Sequence, residues 1–436
     1  MSNQPEEITV ALLGGGTVGQ QVVQQLTAHA GDFAARVGVP LRLTGVAVRD
    51  TSQSRTGIDD SLLTADAQAL AASGADLVVE VMGGIEPART LILAAMRAGS
   101  SVITANKALV AADGATLYAT AEECGVDLYF EAAVAGAIPL IRPLRESLAG
   151  DRVSKVMGIV NGTTNFILSQ MDESGADYAV ALAQAQQLGY AEADPTADVG
   201  GHDAAAKAAI LAELAFHTRV TMDQVSCEGI EEVTAADVDA AREMGFVIKL
   251  LAVAERATSA SGDEGVIVRV HPTMVPREHP LASVRDAFNA VFIEADAAGE
   301  IMLYGRGAGG QPTASAVLGD VIAAARNRFA GSRGPGESIY AKLPVLPSSL
   351  ALTRYYVNME VSDRPGVLAA IAQAFADHGV SIQVVRQDGH GDEAGLIVRS
   401  HLAEAGALQE TVEYLRGQDF VKSILGVMRV EGEAGQ

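Results

Sequence analysis

The chain has 436 residues, enough for two or three domains with complete hydrophobic cores. Hydrophobic residues make up 49%, aromatic residues only 4%, and the formal net charge is −23. This acidic balance argues against nucleic acid and anionic membranes as partners, because both attract a basic protein face.

The cysteines and the amino-terminal segment bear on the compartment. Cys124 and Cys227 lack metal-ligand spacing, and two thiols over this length indicate a reducing environment. The first residues contain no basic region before an apolar run, which argues against a signal peptide, and no apolar run reaches the length of a membrane span. We therefore expect a soluble, cytoplasmic protein.

The first 140 residues alternate short apolar runs with helical patterns. A predicted strand at Ile8–Leu13 is followed by Gly14-Gly15-Gly16-Thr17-Val18-Gly19, which opens a helix. Glycines at this place permit a tight turn and let backbone amides approach a pyrophosphate. Further strands are predicted at 41–50, 77–81, 101–104 and 127–130, with helices at 87–98 and 109–123. The pattern predicts an α/β, Rossmann-type doubly wound parallel sheet that binds a dinucleotide.

The end of the second predicted strand bears on the choice of coenzyme. Arg49 stands where an acid usually binds the ribose of NAD, and arginine can pair with a 2′-phosphate. The pattern therefore favours NADP, while the adjacent Asp50 keeps NAD as an alternative.

Lys107 follows the predicted strand at 101–104 and is one of only six lysines in the chain. The carboxyl ends of strands line the ligand crevice of open α/β sheets, so Lys107 is expected to contact cofactor or substrate. The alternative is a lysine that faces water.

Residues 141–330 are predicted to form an α+β substrate and dimerisation domain. Its predicted strands, at 153–160, 266–270 and 290–295, lie among longer helices, and a helix over about 307–330 is expected to pack back onto the first domain. Within it, Asn161, Thr163, Thr164 and Asn165 form a polar strand-to-helix turn, which fits either a helix cap or hydrogen bonds to a ligand.

The segment Gly189–Lys207 concentrates four carboxylates around one lysine. The carboxylates are Glu192, Asp194, Asp198 and Asp203. Asp203 and Lys207 lie one turn apart on a predicted helix and share a face. Such a cluster suits binding of a small polar, amine-bearing substrate and proton transfer. The alternative is a solvated loop followed by a surface salt bridge, and His202 is either a proton shuttle or a locally bonded residue at the helix start.

The carboxyl-terminal part has a linker and a small module. Residues 331–353 are rich in proline, glycine and serine, which is linker composition. Residues 354–430 are predicted to run strand–helix–strand–strand–helix–strand, the ferredoxin-like βαββαβ order, as a separate module.

Five segments, in this order along the chain, resemble homoserine dehydrogenases of the bacterial form that carries a C-terminal ACT domain. They are GGGTVG, TANKALVA, NGTTNFI, GYAEADPTADVGGHDAAAK and YGRGAGGQPTASAVLGD. The resemblance covers essentially the whole chain. It implies NAD(P)-dependent interconversion of L-homoserine and L-aspartate 4-semialdehyde in threonine, methionine and isoleucine biosynthesis.

The resemblance also implies roles for individual residues. Lys207 would donate and accept the proton on the hydroxyl or carbonyl oxygen, with Lys107 assisting from the cofactor side. Glu192 and Asp203 would bind the substrate, with Asp198 nearby. Cofactor contacts are implied for Thr17, Val18, Arg49, Lys107, Gly189 and Gly309. A monovalent cation, sodium in typical members, is implied in the turn at 131–139, bound mostly through backbone carbonyls at Glu131, Val134, Gly136 and Ile138.

The segment VSDRPGVLAAIAQAFADHGVSI resembles an ACT domain, which binds amino acids between paired copies. It implies L-threonine as a feedback inhibitor and a homodimer or homotetramer, the alternative being a structural oligomerisation module. Truncation after Ser349 is expected to preserve activity. Asp203 is expected to favour the ammonium form of Lys207. The alternative functions are another ACT-linked dehydrogenase, such as one acting on a 2-hydroxy acid, and a non-catalytic amino-acid sensor.

Overall fold

A computed structural model describes residues 5–259, 261–390 and 393–432. Its amino-terminal part is a six-stranded parallel sheet with the order β3-β2-β1-β4-β5-β6. The strands are β1 Ile8–Leu13, β2 Leu41–Ala47, β3 Leu63–Thr64, β4 Leu77–Glu80, β5 Ser101–Thr104 and β6 Leu128–Tyr129. The order reverses direction between β1 and β4, so a ligand crevice forms at the carboxyl ends of these strands. The predicted Rossmann-type doubly wound sheet is confirmed.

Helices cover both faces of this sheet. They are α1 Thr17–Ala28, α2 Ala30–Val37, α3 Ala67–Ala71, α4 Ala88–Arg97 and α5 Lys107–Cys124. A later helix, α11 (Gly310–Ala330), returns to the same domain. Its apolar residues Val317 and Val321 share a core with β1 and α1, where they meet Leu12 and Val22.

A second sheet of mixed direction occupies the rest of the chain, with the main order β12-β11-β7-β9-β10-β17-β13-β15-β14. Its first strands are β7 Val153–Ile159, β8 Ser226–Cys227, β9 Phe246–Thr258, β10 Glu264–Pro276, β11 Phe288–Ala295 and β12 Gly299–Arg306. The helices beside them are α6 Gly162–Ser174, α7 Tyr178–Gln187, α8 Thr196–Val199, α9 His202–Phe216 and α10 Ala235–Glu243. Single turns of 3₁₀ type lie at Asp60–Leu62, Glu131–Ala133, Met222–Gln224, Pro280–Ser283 and Ser348–Leu350, and a π-helical turn lies at Pro143–Ser147.

The predicted strand at 266–270 is wrong in extent. β10 spans thirteen residues and pairs along its whole length with β9, a strand that was not predicted. The first nine residues of β9, FVIKLLAVA, are all buried. A continuous buried run rich in leucine and alanine has no alternation, so periodicity alone does not separate it from a helix.

The carboxyl-terminal residues form the predicted ferredoxin-like unit. Its elements are β13 Leu352–Ser362, α12 Val367–Asp377, β14 Ile382–His390, β15 Glu393–Ser400, β16 Ala403–Glu404, α13 Ala405–Arg416 and β17 Val421–Val430. Its sheet order β17-β13-β15-β14 is antiparallel throughout. The unit has a hydrophobic core of its own, and β17 joins it to the second sheet by pairing with β10 through Thr273–Arg429 and Met274–Val430.

A buried ionic cluster reinforces this junction. Glu431, directly after β17, is 4% exposed and accepts hydrogen bonds of 2.7 Å from both Lys155 Nζ and Arg269 Nη2. Arg269 also pairs with Glu255. Although burial favours the neutral acid, Lys155 and Arg269 hold the pKa of Glu431 well below its usual range. The cluster therefore ties the end of the chain to β7, β9 and β10.

The segment predicted as a linker lies along the protein surface and is hydrogen-bonded to it. The amide of Gly334 donates to Asp127, that of Ala341 to the carbonyl of His217, and that of Leu346 to the carbonyl of Val266. In the described ranges, none of the helices combines the length and apolarity needed to cross a membrane.

Candidate active site

A cavity of 690 Å³ opens where the carboxyl end of β5 faces the first turns of α6, α9 and α11. Its polar lining residues are Asn106, Lys107, Asn161, Thr163, Tyr190, Asp198, Asp203, Lys207, Asn289, Arg306 and Thr313. Glycines and alanines of several segments, including Gly136, Gly189 and Gly309, complete the wall. The cavity thus combines residues from both sheets.

The glycine motif forms a tight turn at one side of this region. Gly14 has φ 113°, and a Cβ on Gly19 would lie well inside contact distance of the Gly14 carbonyl oxygen. Gly16 caps α1 with no side-chain acceptor for the first amides of the helix. A Cβ on Gly310 would approach Thr17 Cγ2 to 2.9 Å, so the loop before α11 lies directly beside the motif. This arrangement suits a pyrophosphate at the helix N-terminus.

The acid and the arginine after β2 have different environments. Asp50 accepts hydrogen bonds from the Ser52 hydroxyl and amide at 2.6 and 2.9 Å, and these bonds lower the pKa of its carboxyl group. Arg55 donates to the carbonyls of Asp50 and Gln53. Arg49 is exposed and has no ion-pair partner among the described residues. The acid is engaged within its own turn, whereas the arginine is available to an anionic ligand.

Glu80, which the sequence did not single out, fixes the ends of β4 and β5. Its side chain is fully buried and accepts bonds from the amides of Met82 (2.7 Å) and Gly83 (3.0 Å) and from the Thr104 hydroxyl (2.6 Å). Asn106 caps α5 by accepting from the Leu109 amide. These bonds position Lys107, the first residue of α5, at the cavity. The sequence signal that could have identified Glu80 is an acidic residue at the end of an otherwise apolar strand.

Asp203 lies between two lysines at the centre of the site. Its Oδ1 pairs with Lys107 Nζ, and its Oδ2 lies 2.7 Å from Lys207 Nζ. Lys207 also donates to the carbonyl of Val160 at 2.6 Å. The side chains of Lys207 and Asp203 are only 10% and 8% exposed, against 43% for Lys107. The pair is therefore buried, and the surface salt bridge considered as an alternative is excluded.

Asn161 connects this pair to the second acid. Its Nδ2 donates to Asp203 Oδ2 at 2.9 Å and to Asp198 Oδ1 at 2.7 Å. Its Oδ1 accepts from the Thr164 amide and so caps α6. Thr163 donates to the Tyr190 carbonyl. The polar turn therefore caps a helix and lines the cavity at once.

Burial and charge act in opposite directions on the titration of the two central groups. Burial disfavours the Asp203 carboxylate, yet Lys207 and Lys107 hold the pKa of Asp203 well below its usual range. Burial lowers the pKa of Lys207, Asp203 opposes that change, and the positive charge of Lys107 adds to the lowering. Asp203 thus favours the ammonium form of Lys207, as expected, but burial has the larger effect and leaves the pKa of Lys207 below the usual lysine value.

Some predicted residues lie away from this centre. Glu192 is exposed and does not line the cavity, although Gly189 and Tyr190 just before it do. His202 is exposed at the start of α9, outside the lining set. Asp194 accepts bonds from the Thr196 amide and hydroxyl and acts as a local cap.

The turn predicted to bind a cation has two residues in left-handed conformation, Ala135 (φ 57°) and Gly136 (φ 56°). The carboxylate of Glu131 is occupied by the amides of Leu140, Ile141 and Arg142, at 2.5 to 3.0 Å. Nothing in the described ranges donates a hydrogen bond to the carbonyls of Val134 and Gly136. The same ranges contain no cluster of three His, Cys, Asp or Glu side chains that could bind a metal ion. Carbonyl ligands therefore fit a monovalent cation here, while the Glu131 carboxylate does not.

Comparison with protein-family models gives three matches along the chain. The family described as homoserine dehydrogenase matches residues 139–322, and the one described as homoserine dehydrogenase, NAD binding domain, matches residues 14–131. The ACT domain matches residues 355–417. The three matches together cover most of the chain, two of them with homoserine dehydrogenase descriptions and the third with that of the ACT domain.

Individual relatives agree over nearly the full length. The homoserine dehydrogenase of Corynebacterium glutamicum is 57% identical over 425 residues, which cover 97% of this chain and 96% of the relative. The structure of a homoserine dehydrogenase from Thiobacillus denitrificans has a TM-score of 0.91 at 39% identity, over 98% of this chain and 99% of that one. A hyperthermophilic archaeal homoserine dehydrogenase in complex with NADPH has a TM-score of 0.62 at 26% identity, over 76% of this chain and 99% of its own. This chain belongs to the homoserine dehydrogenase family, as an oxidoreductase with an NAD-binding domain and a C-terminal ACT domain.

Proposed function

We propose that this homoserine dehydrogenase interconverts L-aspartate 4-semialdehyde and L-homoserine with NADPH, using Lys207 as the proton donor and acceptor. The observation that carries the proposal is the buried Lys207 ammonium, paired with Asp203 in a cavity beside the glycine motif. A lysine whose pKa is lowered by burial serves in both directions, because its ammonium form can donate a proton and its neutral form, which can accept one, is reached at lower pH than for a lysine in water.

The neighbouring residues then have distinct tasks. Bound NADPH would supply the hydride that reduces the aldehyde carbon. Asp203 orients Lys207, since both of its oxygens already accept hydrogen bonds from lysine or from Asn161. Asp198 accepts fewer hydrogen bonds than Asp203 and would bind the substrate ammonium. Lys107 would lie on the cofactor side. Glu192, two residues beyond the lining residue Tyr190, would contact the substrate from the rim.

NADP is the proposed coenzyme, in preference to NAD. The exposed Arg49 has a guanidinium available for a 2′-phosphate, while Asp50 is engaged by Ser52. The similar archaeal enzyme was solved in complex with NADPH. Thr17, Val18, Gly189 and Gly309 are proposed to contact the coenzyme, in keeping with the cavity lining at the last two.

A monovalent cation, sodium by its typical occurrence in the family, is proposed at the turn that includes Val134, Gly136 and Ile138. Carbonyl oxygens would be its ligands, including that of Glu131, and the ion would fix the turn that lines the cavity at Gly136.

We also propose that L-threonine inhibits the enzyme and that the chain assembles into a homodimer or homotetramer. The enzyme would act in the cytoplasm, in the biosynthesis of threonine, methionine and isoleucine. A cavity of 390 Å³ borders the loop Asp363–Gly366 before α12 and gives room for an amino acid.

The direct test is spectrophotometric. The purified full chain is mixed with L-aspartate 4-semialdehyde and either NADPH or NADH, with a 2-oxo acid as the control substrate. We expect NADPH oxidation with the aldehyde, slower oxidation of NADH, no rate with the oxo acid, and inhibition by threonine. Equal rates with both coenzymes would contradict the NADP assignment, and absence of threonine inhibition would contradict the regulatory one.

A further inference from the structure

We propose that the side-chain amide of Asn289 binds the carboxamide of the nicotinamide and so fixes the orientation of the ring in the cavity. This inference rests on the proposed function, because it requires the reduced end of the coenzyme to lie in the cavity that contains Lys207. Neither the glycine motif nor the acidic segment includes this residue.

Asn289 is a buried polar residue whose side-chain oxygen has no hydrogen-bond donor in the part of the chain that the structure describes. It lies in β11 opposite Gly305 of β12, and the next residue, Ala290, is opposite Ile159 at the end of β7. Its side chain lines the cavity, the residue is 1% exposed, and its Oδ1 accepts no hydrogen bond among the described residues. A buried amide left unpaired is unfavourable, so a ligand group is its natural partner.

The surrounding backbone shows that the amide itself forms part of the cavity wall. A Cβ on Gly307 would lie well inside contact distance of the Asn289 amide, and a Cβ on Gly162 would lie 3.5 Å from its Oδ1. Two loops without side chains at these positions therefore pack directly on Asn289. One of them leads into α11 and the other into α6.

The position of Asn289 along the site matches the nicotinamide end of a dinucleotide. The loop before α11 begins its contact with the glycine motif at Gly310 and Thr17, and the same loop reaches Asn289 at Gly307. On the other side, Gly162 follows Asn161, which bonds Asp203. A coenzyme anchored at α1 and extended along this loop would therefore have its nicotinamide end beside Asn289, in the cavity that Lys207 also lines.

The chemistry distinguishes the coenzyme from the substrate as the partner. Homoserine has an ammonium and a carboxylate, and the cavity offers charged groups to both, in Asp198, Lys107 and Arg306. Asn289 is neutral and carries both donor and acceptor atoms, like the carboxamide. Hydrogen bonds between the Asn289 amide and the carboxamide would determine which face of the nicotinamide ring is turned toward the substrate carbon.

The test measures binding to the full-length protein by calorimetry with three ligands. These are NADP⁺, its 3-acetylpyridine analogue, which lacks the carboxamide N–H, and 2′-phospho-ADP-ribose, which lacks the ring. We expect Asn289→Ala to weaken NADP⁺ binding about 10- to 100-fold, the range for an unpaired buried group. Binding of 2′-phospho-ADP-ribose should not change, and the preference of the wild type for NADP⁺ over the analogue should disappear. Asn289→Asp, which keeps an acceptor oxygen, should restore part of that preference.

Two results would overturn the proposal. An equal loss of affinity for all three ligands would show that Asn289 only packs the loops. An unchanged preference for NADP⁺ over the analogue, with a raised KM for homoserine, would show that it contacts the substrate. If Asn289→Ala does not fold, Asn289→Ser is measured with the same ligands. Failure of the Lys207 assignment would not alter this comparison, because binding needs no proton transfer.

Discussion

The carboxylate of Asp203 balances two ammonium groups, one almost buried and one nearly half exposed. Because one negative charge serves two positive ones, the charge of Lys107 makes protonation of Lys207 less favourable and contributes to the lowered pKa of Lys207. The geometry thus prepares Lys207 to lose its proton more easily than a lysine in water. Two predictions follow from this arrangement of charges.

Replacing Lys207 by alanine should remove proton transfer without removing the coenzyme site. We expect turnover to fall by about 10²–10⁴-fold, the usual contribution of a general acid–base group, while the Kd of NADPH changes little. The matched control is Lys342→Ala, since Lys342 is exposed and lies outside the cavity lining. Near-normal turnover in Lys207→Ala would end the proposed role.

The pH dependence should report the pKa of Lys207. Homoserine oxidation needs the neutral amine, so its rate should rise with pH through a pKa below the ordinary lysine value of 10.5. Reduction of the aldehyde needs the ammonium and should decline over the same interval. In Lys107→Met one positive neighbour is lost, so the midpoint should move to higher pH. A midpoint that stays in place or moves down, measured from initial rates across the pH range, would contradict this account.

At the residue scale, the sequence predicted which residues of the site lie close together better than it predicted how deeply they are buried. The segment 189–207 placed Asp198, Asp203 and Lys207 together because helical spacing and a short loop determine their proximity. The sequence did not reveal that Lys207 is buried, because burial depends on β7 and β9, which meet α9 only in the folded chain. Asn289 had no signal, since a lone asparagine in a strand has no pattern.

At the scale of elements, two glycine-containing turns meet and define the coenzyme side of the cavity. The turn after β1 requires close approach of Gly14 and Gly19, and the loop before α11 requires close approach of Gly310 to Thr17. The strand–turn–helix order predicted the first turn. The contact between the turns depends on α11 returning across the sheet, which the sequence suggests only through the apolar face of that helix.

Alanine at position 19 should disturb the first turn. Its Cβ would overlap the Gly14 carbonyl, and such overpacking costs about 1–3 kcal/mol. We expect weaker NADPH binding and a lower free energy of unfolding, measured by fluorescence titration and by urea denaturation. In Gly31→Ala, the control, the added Cβ enters open space in α2 and should stabilise the protein by about 0.5–1 kcal/mol. Equal behaviour of the two variants would contradict the steric argument.

The described part of the molecule is built on two sheets, and the second continues into the ACT domain without interruption. Alternating patterns predicted the first sheet and the ferredoxin-like unit. They did not predict the junction, because pairing of β10 with β17 joins residues more than 150 positions apart and involves only two residue pairs. The proline-rich composition of 331–353 suggested a tether, whereas tertiary hydrogen bonds fix much of it.

Glu431 should be important for the stability of the second sheet. In Glu431→Gln, Lys155 and Arg269 lose the more deeply buried of their two counter-charges and keep only Glu255, and we expect the free energy of unfolding to fall by about 3–5 kcal/mol. Glu413→Gln, which removes an exposed pair with Arg416, should change it by about 0–1 kcal/mol. Urea denaturation of both variants measures the difference, and a similar small loss in both would show that the cluster contributes little.

Truncation after Ser349, which is predicted to preserve activity, would also remove β17 and Glu431, so a loss of activity would not by itself report on threonine control. Threonine control is better tested by single substitutions in the loop Asp363–Gly366, which leave the junction intact.

The same junction restricts how domains of this family can be exchanged. A chimera that joins this catalytic half to a relative's ACT domain, cut within 331–353, would bring a foreign final strand against β10. It would fold well only if the donor also supplied an acid after that strand to meet Arg269 and Lys155, or if those two residues were replaced at the same time.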